Sequence, residues 1–236
     1  MGMTQPKGAP PKQFLLLEGK PILHWTLEAL SQVSAIDAIC LVVAADRLAT
    51  TEQELGEGVR VNHPWVNHPW VNHPWGKKLQ WIVAGGQERQ DSVIKGLRAI
   101  PPCEIVLVHD AVRPFVTPKM VEALITVAKE NGAALLALPV QETLKEVSER
   151  REVIRTVDRD RLWSVQTPQA FRYDLLSQAI ARAERDSFLG TDEAMLVERN
   201  GHPVSVVEGS PFNIKITRPE DLLLAEGIVY ARRHRL

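Results

Sequence analysis

The 236-residue chain carries only two cysteines, Cys40 and Cys103, and no Cys-x-x-Cys pair. A disulfide framework is excluded, and both thiols read as free and buried in a reducing compartment. A chain of this length buries roughly 70–75% of its unfolded surface, so it needs no disulfide or metal to fold. Long apolar runs are missing as well. The longest, Ala38–Ala45, is far short of the ~20 residues that span a bilayer. Met1–Pro11 is rich in Gly, Pro and Lys and has no apolar stretch of the kind a secretory leader needs. These absences predict a cytoplasmic protein with no membrane partner. There is no excess of either charge: 28 Lys and Arg stand against 29 Asp and Glu, for a net charge of -1. Broad nucleic-acid binding is thereby excluded, whereas a local basic pocket for one phosphorylated small molecule is not. Gly-x-Gly-x-x-Gly, Gly-x4-Gly-Lys-Ser/Thr, Gly-x-Ser-x-Gly and His-Glu-x-x-His are all missing. Hydride-transfer, P-loop ATPase, serine-hydrolase and zinc-protease readings lose their support.

What is present is an ordinary globular composition, 44% hydrophobic and 24% charged, in one domain spanning residues 1–236. One insertion stands apart. Val61–Trp75 is Val-Asn-His-Pro-Trp three times over, with three of the six Trp and three of the seven His. Its prolines forbid a regular helix or central strand. His63, His68 and His73 could be read as metal ligands, but no carboxylate or Cys is interleaved. A tandem duplication in a surface loop, with exposed and sticky Trp side chains, is the preferred reading.

Elsewhere strands alternate with helices. Ile36–Ala45, Leu79–Ala84, Glu104–His109 and Ala133–Val140 are short apolar, partly β-branched runs of buried parallel strands. Pro21–Val33 places Ile22, Leu23, Thr26, Leu27, Leu30 and Val33 on one helical face. Asp91–Ile100 follows the Gly85-Gly86 turn, and Pro118–Asn131 lies between an N-cap Thr117 and Gly132. Further helices are expected over Tyr173–Glu184, about Asp192–Asn200 and from about Arg218, the last with a Thr217-x-x-Glu220 capping box and an apolar face of Leu222, Leu223, Ala225, Ile228 and Val229. Pro203–Val207 adds a strand. Glu142–Arg161 is highly charged with short β-branched pieces and reads as a protruding hairpin. The alternation predicts a doubly wound, mostly parallel α/β sheet.

Ligands of such sheets sit beyond the carboxyl ends of the strands, and four clusters fall there. Gly85-Gly86-Gln87-Glu88-Arg89-Gln90-Asp91-Ser92 brings backbone N–H groups and a helix N-terminus to a ligand, or is merely a tight turn. Asp110, at a strand end three residues from Arg113, could hold a hydroxyl or a metal, or cap its own turn. Thr191 precedes Asp192-Glu193 and could be an N-cap. Lys215, before the last helix, could grip a phosphate or be a solvated surface Lys.

Taken in order, Pro11-Lys12-Gln13-Phe14-Leu15 with Gly19-Lys20-Pro21-Ile22-Leu23, then GGQERQDSV, VHDAVRP, TVDRDRLW with QTPQAF, TDEAMLVE and NIKITRPEDL resemble the 2-C-methyl-D-erythritol 4-phosphate cytidylyltransferase family of the non-mevalonate isoprenoid pathway. The resemblance runs from Pro11 to the C-terminal helix. It implies a Rossmann-like fold of the nucleotide-diphospho-sugar transferase type, with residues 139–162 as a dimerisation arm. The implied reaction moves CMP from CTP to the polyol phosphate with Mg²⁺ and releases pyrophosphate. Lys12, Arg159 and Lys215 would be the catalytic set, Lys12 at the α-phosphate and the other two at the acceptor phosphate. Gly86, Gln87 and Ser92 would contact cytosine, although the family often has an acid where Gln87 stands. Asp110 would hold hydroxyls near the metal and serve as its ligand, with Arg113 beside it. Thr143 and Thr191 would assist, and Thr143 and Arg159 would serve the partner subunit's site in a homodimer. A ribitol 5-phosphate cytidylyltransferase and a non-catalytic dimeric binding protein are the alternative readings. Family members open with an apolar strand and a Gly-rich loop, whereas this sequence starts at Met1-Gly2. The expectation is therefore that the chain as written binds CTP poorly, either because its true start lies upstream or because it is truncated.

Overall fold

The computed structural model describes residues 11–55 and 75–234. His63, His68 and His73, the rest of the repeat before Trp75, and residues 1–10 lie outside the described residues. Trp75 itself is not sticky surface. It is 1% exposed and packs with Leu23, Leu27, Leu41, Val43, Leu79 and Ile82.

After a 3-10 turn at Lys12–Phe14, the chain makes a two-residue hairpin, β1 (Leu16–Leu17) and β2 (Lys20–Pro21). Glu18 and Gly19 form its bend with φ of 51° and 76°, a left-handed conformation that glycine adopts without a Cβ penalty. α1 (Ile22–Ser31) follows and buries Ile22, Leu23, Thr26 and Leu27, the predicted face. β3 (Ile39–Val43) and β4 (Leu79–Ala84) pair in parallel, with α2 (Leu48–Leu55) between them in sequence. The sequence pattern did not mark α2. α3 (Arg89–Ala99) is closed at its N-terminus by a reciprocal cap: the Glu88 side chain accepts from the backbone N–H of Asp91, and the Asp91 carboxylate accepts from Glu88 N–H.

The larger sheet has the order β10-β6-β9-β5. β5 is Ile105–Val108, β6 is Ala133–Pro139, β9 is Trp163–Arg172 and β10 is Ser205–Glu208. α4 (Pro118–Asn131) has the expected ends: Thr117 Oγ1 accepts from Met120 N–H, and Gly132 terminates it at φ 85°. β10 and β6 are parallel, and β9 runs antiparallel to both β5 and β6. The expected α/β fold is thus present, with one strand set against its neighbours. β9 went unpredicted because Pro168 interrupts its apolar run. α5 (Tyr173–Arg185) and α6 (Glu193–Arg199) close one face over Ala133, Leu135 and Phe171.

The charged segment does form a hairpin, β7 (Leu144–Val147) with β8 (Val153–Val157), antiparallel and exposed along nearly all its length. α7 (Pro219–His234) ends the described chain. Its start is held differently from the predicted box. The Asp221 carboxylate, not Glu220, accepts from the Thr217 and Arg218 N–H groups and the Thr217 hydroxyl. Four residues, one more than the box assumes, suit a loop that turns before Pro219. Leu223 is exposed rather than core-facing, while Ala225 and Val229 are buried. Cys103 is also exposed, because it lies in the loop before β5 and not in the strand. Cys40 is half-buried, and burial pushes its thiol up to about 12, so it stays protonated. No helix among the described residues is long and apolar enough to cross a membrane.

Candidate active site

The site is built where β4 and β5 end. After Ala84 the chain must turn sharply: Gly85 N–H donates to Val43 O at 2.6 Å, and Gly86 N–H donates to Ser92 Oγ at 3.1 Å. A Cβ on Gly86 would come within 2.1 Å of Asp91 Cβ, so only glycine fits against the α3 cap. Gly86 and Ser92 are thereby joined in one turn, with Gln87 exposed at its tip.

β5 delivers His109 and Asp110. Asp110 N–H donates to Thr167 Oγ1 at 3.0 Å, and the same hydroxyl lies 3.1 Å from His109 Nδ1. His109 Nε2 lies 3.1 Å from the Arg113 carbonyl, which can only accept. Nε2 therefore carries the proton, and the Thr167 hydroxyl donates to Nδ1. Burial lowers the imidazole to about 4, so it is neutral at pH 7 with both nitrogens engaged.

Two loops are stitched together beside it. Ile216 N–H donates to Val112 O, Arg113 Nη1 donates to Asn213 O at 2.7 Å, and the fully buried Asn213 amide donates to Gln166 Oε1 and Thr167 O. That stitching carries Lys215 to the Asp110 carboxylate at 2.9 Å. Arg113 Nε and Arg89 Nε each stand 3.6 Å from the same carboxylate. Burial alone would raise the Asp110 carboxyl, but Lys215, Arg89 and Arg113 outweigh it and hold the group below its usual range. Arg89 is held from the far side by Glu193, whose Oε1 lies 2.7 Å from Nη1. Glu193 is 1% exposed, and burial pushes its carboxyl up against the opposing pull of Arg89. Burial lowers Arg89 less than Glu193 and Asp110 together raise it, so it remains a cation.

Of the residues expected in a site, Gly86, Ser92, Asp110, Arg113 and Lys215 are therefore brought together. Lys12 sits on the 3-10 turn, and no ion pair among the described residues joins it to Asp110. Thr143 and Arg159 belong to the arm, where the Arg159 guanidinium donates to the Gln141 carbonyl. Thr191 is exposed and does not cap α6; Asp192 does, accepting from Met195 N–H at 2.9 Å. Sequence reasoning gave no role to Arg89, Glu193 or Thr167. Arg89 carried a signal all the same: a cation in the first turn of a helix opposes the macrodipole, so something else has to hold it there. No group of three or more His, Cys, Asp or Glu side chains able to hold a metal occurs among the described residues. Asp110 could give one carboxylate oxygen to a Mg²⁺ bound chiefly by phosphate oxygens, the usual manner of that ion.

One family model, that of the 2-C-methyl-D-erythritol 4-phosphate cytidylyltransferases (IspD), matches residues 4–231. The chain belongs to this family. Its relatives include the cytidylyltransferase of Alkaliphilus metalliredigens, 43% identical over 223 residues that cover 94% of this chain and 86% of the relative. Another is that of Halalkalibacterium halodurans, 44% identical over 225 residues covering 95% and 91%. Among solved structures, 4-diphosphocytidyl-2C-methyl-D-erythritol synthase from Anaerococcus prevotii superposes with a TM-score of 0.77 at 29% identity, covering 92% of this chain and 93% of that one. The Thermus thermophilus cytidylyltransferase gives 0.73 at 34%, covering 93% and 94%. The fold is therefore that of the nucleotide-diphospho-sugar transferases. As an IspD-family member the chain is a nucleotidyltransferase, a cytidylyltransferase of isoprenoid biosynthesis.

Proposed function

We propose that the Asp110–Lys215–Arg113–Arg89 cluster is where this chain joins CTP to 2-C-methyl-D-erythritol 4-phosphate, giving 4-diphosphocytidyl-2-C-methyl-D-erythritol and pyrophosphate. The supporting observation is one half-buried carboxylate ringed by three cations beside a glycine turn. The acceptor's phosphate oxygen attacks the CTP α-phosphorus in line as the bond to pyrophosphate breaks. That oxygen is already ionised at pH 7, so no general base is needed, and catalysis rests on positioning and charge neutralisation. The neutral, doubly engaged His109 agrees with this: it shapes the Asp110 loop rather than moving a proton.

In this reading Gly86, Gln87 and Ser92 face the cytosine. Asp110 takes sugar hydroxyls or one position of Mg²⁺, which would supply charge neutralisation to the triphosphate. Lys215 and Arg113 present cations to the phosphates, and Lys12 joins them at the α-phosphate. The exposed Val147, Val153 and Ile154 of the arm, with Trp163 at the adjoining start of β9, give an apolar surface suited to a homodimer. Thr143 and Arg159 would then complete the partner subunit's site, and Thr191 lies on the rim beside Glu193. Pyrophosphate release from CTP and the methylerythritol phosphate, with and without Mg²⁺ and with ribitol 5-phosphate as the competing acceptor, tests the reading. Release with ribitol 5-phosphate alone would sink it.

A further inference from the structure

Arg89 is shared between two carboxylates, and unequally. Its Nη1 donates to Glu193 Oε1 at 2.7 Å, whereas its Nε lies 3.6 Å from Asp110 Oδ1, outside hydrogen-bond reach. The other cations of the cluster meet the second oxygen of Asp110: Lys215 Nζ is 2.9 Å and Arg113 Nε 3.6 Å from Oδ2. Oδ1 therefore accepts no hydrogen bond among the described residues. An arginine beside such an oxygen ordinarily closes on the carboxylate as a fork. A shift of about 0.7 Å would be enough here.

The anchoring of Glu193 opposes that shift. Glu193 is buried in the first turn of α6, and the residues on both sides of it are pinned. The Gln169 amide donates to Asp192 Oδ2 at 2.8 Å and accepts from Ala194 N–H at 3.1 Å. The loop before α6 is held in the same way. There the Gln90 amide donates to Phe188 O at 3.0 Å and accepts from Gly190 N–H at 2.8 Å. Glu193 Oε2, by contrast, has no hydrogen-bond partner among the described residues. A buried carboxylate with one oxygen unanswered stabilises a fold poorly beside apolar packing, so stability does not account for its presence.

We propose that Glu193 is a positioning residue: it draws Arg89 back from Asp110 and so keeps Asp110 Oδ1 open to the nucleotide. The inference rests on the reading that this cluster handles CTP. Cytosine at Gly86–Ser92 stands at the same start of α3 that carries Arg89, which brings the ribose hydroxyls toward Oδ1. A neutral hydroxyl can take an oxygen that faces a cation at 3.6 Å. It competes badly for one already hydrogen-bonded to a guanidinium, because such charge-assisted bonds are roughly twice as strong as neutral ones. Without the pull of Glu193, Arg89 would close on Asp110 and occupy the place of the substrate.

Glu193→Gln tests this, since it keeps the shape and an acceptor but removes the charge. Asp110 remains as counter-ion for Arg89, so no buried charge is stranded. A crystal structure of the ligand-free variant should show Arg89 Nε within about 3 Å of Asp110 Oδ1. In pyrophosphate-release assays KM for CTP should rise roughly tenfold while kcat changes by less than about twofold, because the lost contact serves bound nucleotide and transition state alike. Adding Arg89→Gln removes the competing cation, and the double variant should return to the KM of Arg89→Gln alone. A purely structural Glu193 would instead leave the double variant as impaired as Glu193→Gln, or more so. That result would overturn the proposal, as would an unmoved Arg89, or a moved Arg89 with KM unchanged. No pyrophosphate release by the unsubstituted chain would overturn the reading of function instead, and the position of Arg89 in the two crystal structures would still decide whether Glu193 holds it back.

Discussion

β6 and β5 are both short, apolar strands, but their surroundings differ. The first five residues of β6 are buried, with β10 on one side and β9 on the other. β5 has β9 on one side and lines a cavity, and none of its four residues is fully buried. Apolar sequence alone thus does not bury a strand; it is buried when both of its edges are paired and both of its faces covered. The Asp110 carboxylate of the candidate site follows the less buried of the two.

Truncation tests that contrast most severely. Leu136→Ala should cost about 2–5 kcal/mol, the price of a cavity in a closed core. Leu107→Ala should cost about 1 kcal/mol or less, because the side chain already borders open space. Equal costs in urea unfolding would erase the distinction. Next in size, Lys215→Ala should lower kcat for pyrophosphate release by ~10²–10³-fold, with only a small loss of unfolding stability because Arg89 and Arg113 still face Asp110. A loss confined to stability would remove Lys215 from the chemistry.

His109 sits at the junction of strand and site, and its protonation sharpens the comparison further. The unfolded chain takes up its proton near pH 6.5, the folded one only near pH 4. Stability is therefore full above pH 6.5 and falls as pH drops, by up to ~3 kcal/mol at pH 4. His109→Asn should flatten that part of the pH–stability curve, whereas Asp110, held below its usual range, loses its contribution only at more acidic pH. Gly86→Ala should weaken CTP binding by about tenfold through displacement of Asp91 from the α3 cap, seen by titration calorimetry. The smallest effect belongs to the arm, which has no core. Arg155→Ala removes an exposed ion pair to Glu146 and should change stability by about 0–1 kcal/mol.

The ordered motifs and the alternation of apolar runs with amphipathic helices were enough to read most of the fold, and α4 and β4 even to the residue. α2 escaped because its segment, Leu-Ala-Thr-Thr-Glu-Gln-Glu-Leu, has no sustained apolar stripe. β9 escaped because Pro168 argues against a central strand. In the site, Asp110, Arg113 and Lys215 were legible because each stands at a strand or helix end. Glu193 and Thr167 were not, since their importance lies in partners about a hundred and about sixty residues distant in sequence. Lys12, Thr143 and Arg159 rest on the family resemblance alone.

The cation cluster has a kinetic consequence. Arg89, Arg113 and Lys215 all lie within 3.6 Å of the single Asp110 carboxylate, so its immediate surroundings are positive on a chain whose net charge is -1. Substrates that are phosphate anions would be repelled weakly by the whole and drawn by the part. The pull reaches only about 10 Å at 0.1 M salt, so the encounter rate should fall as ionic strength rises while the rate of the bound complex stays constant.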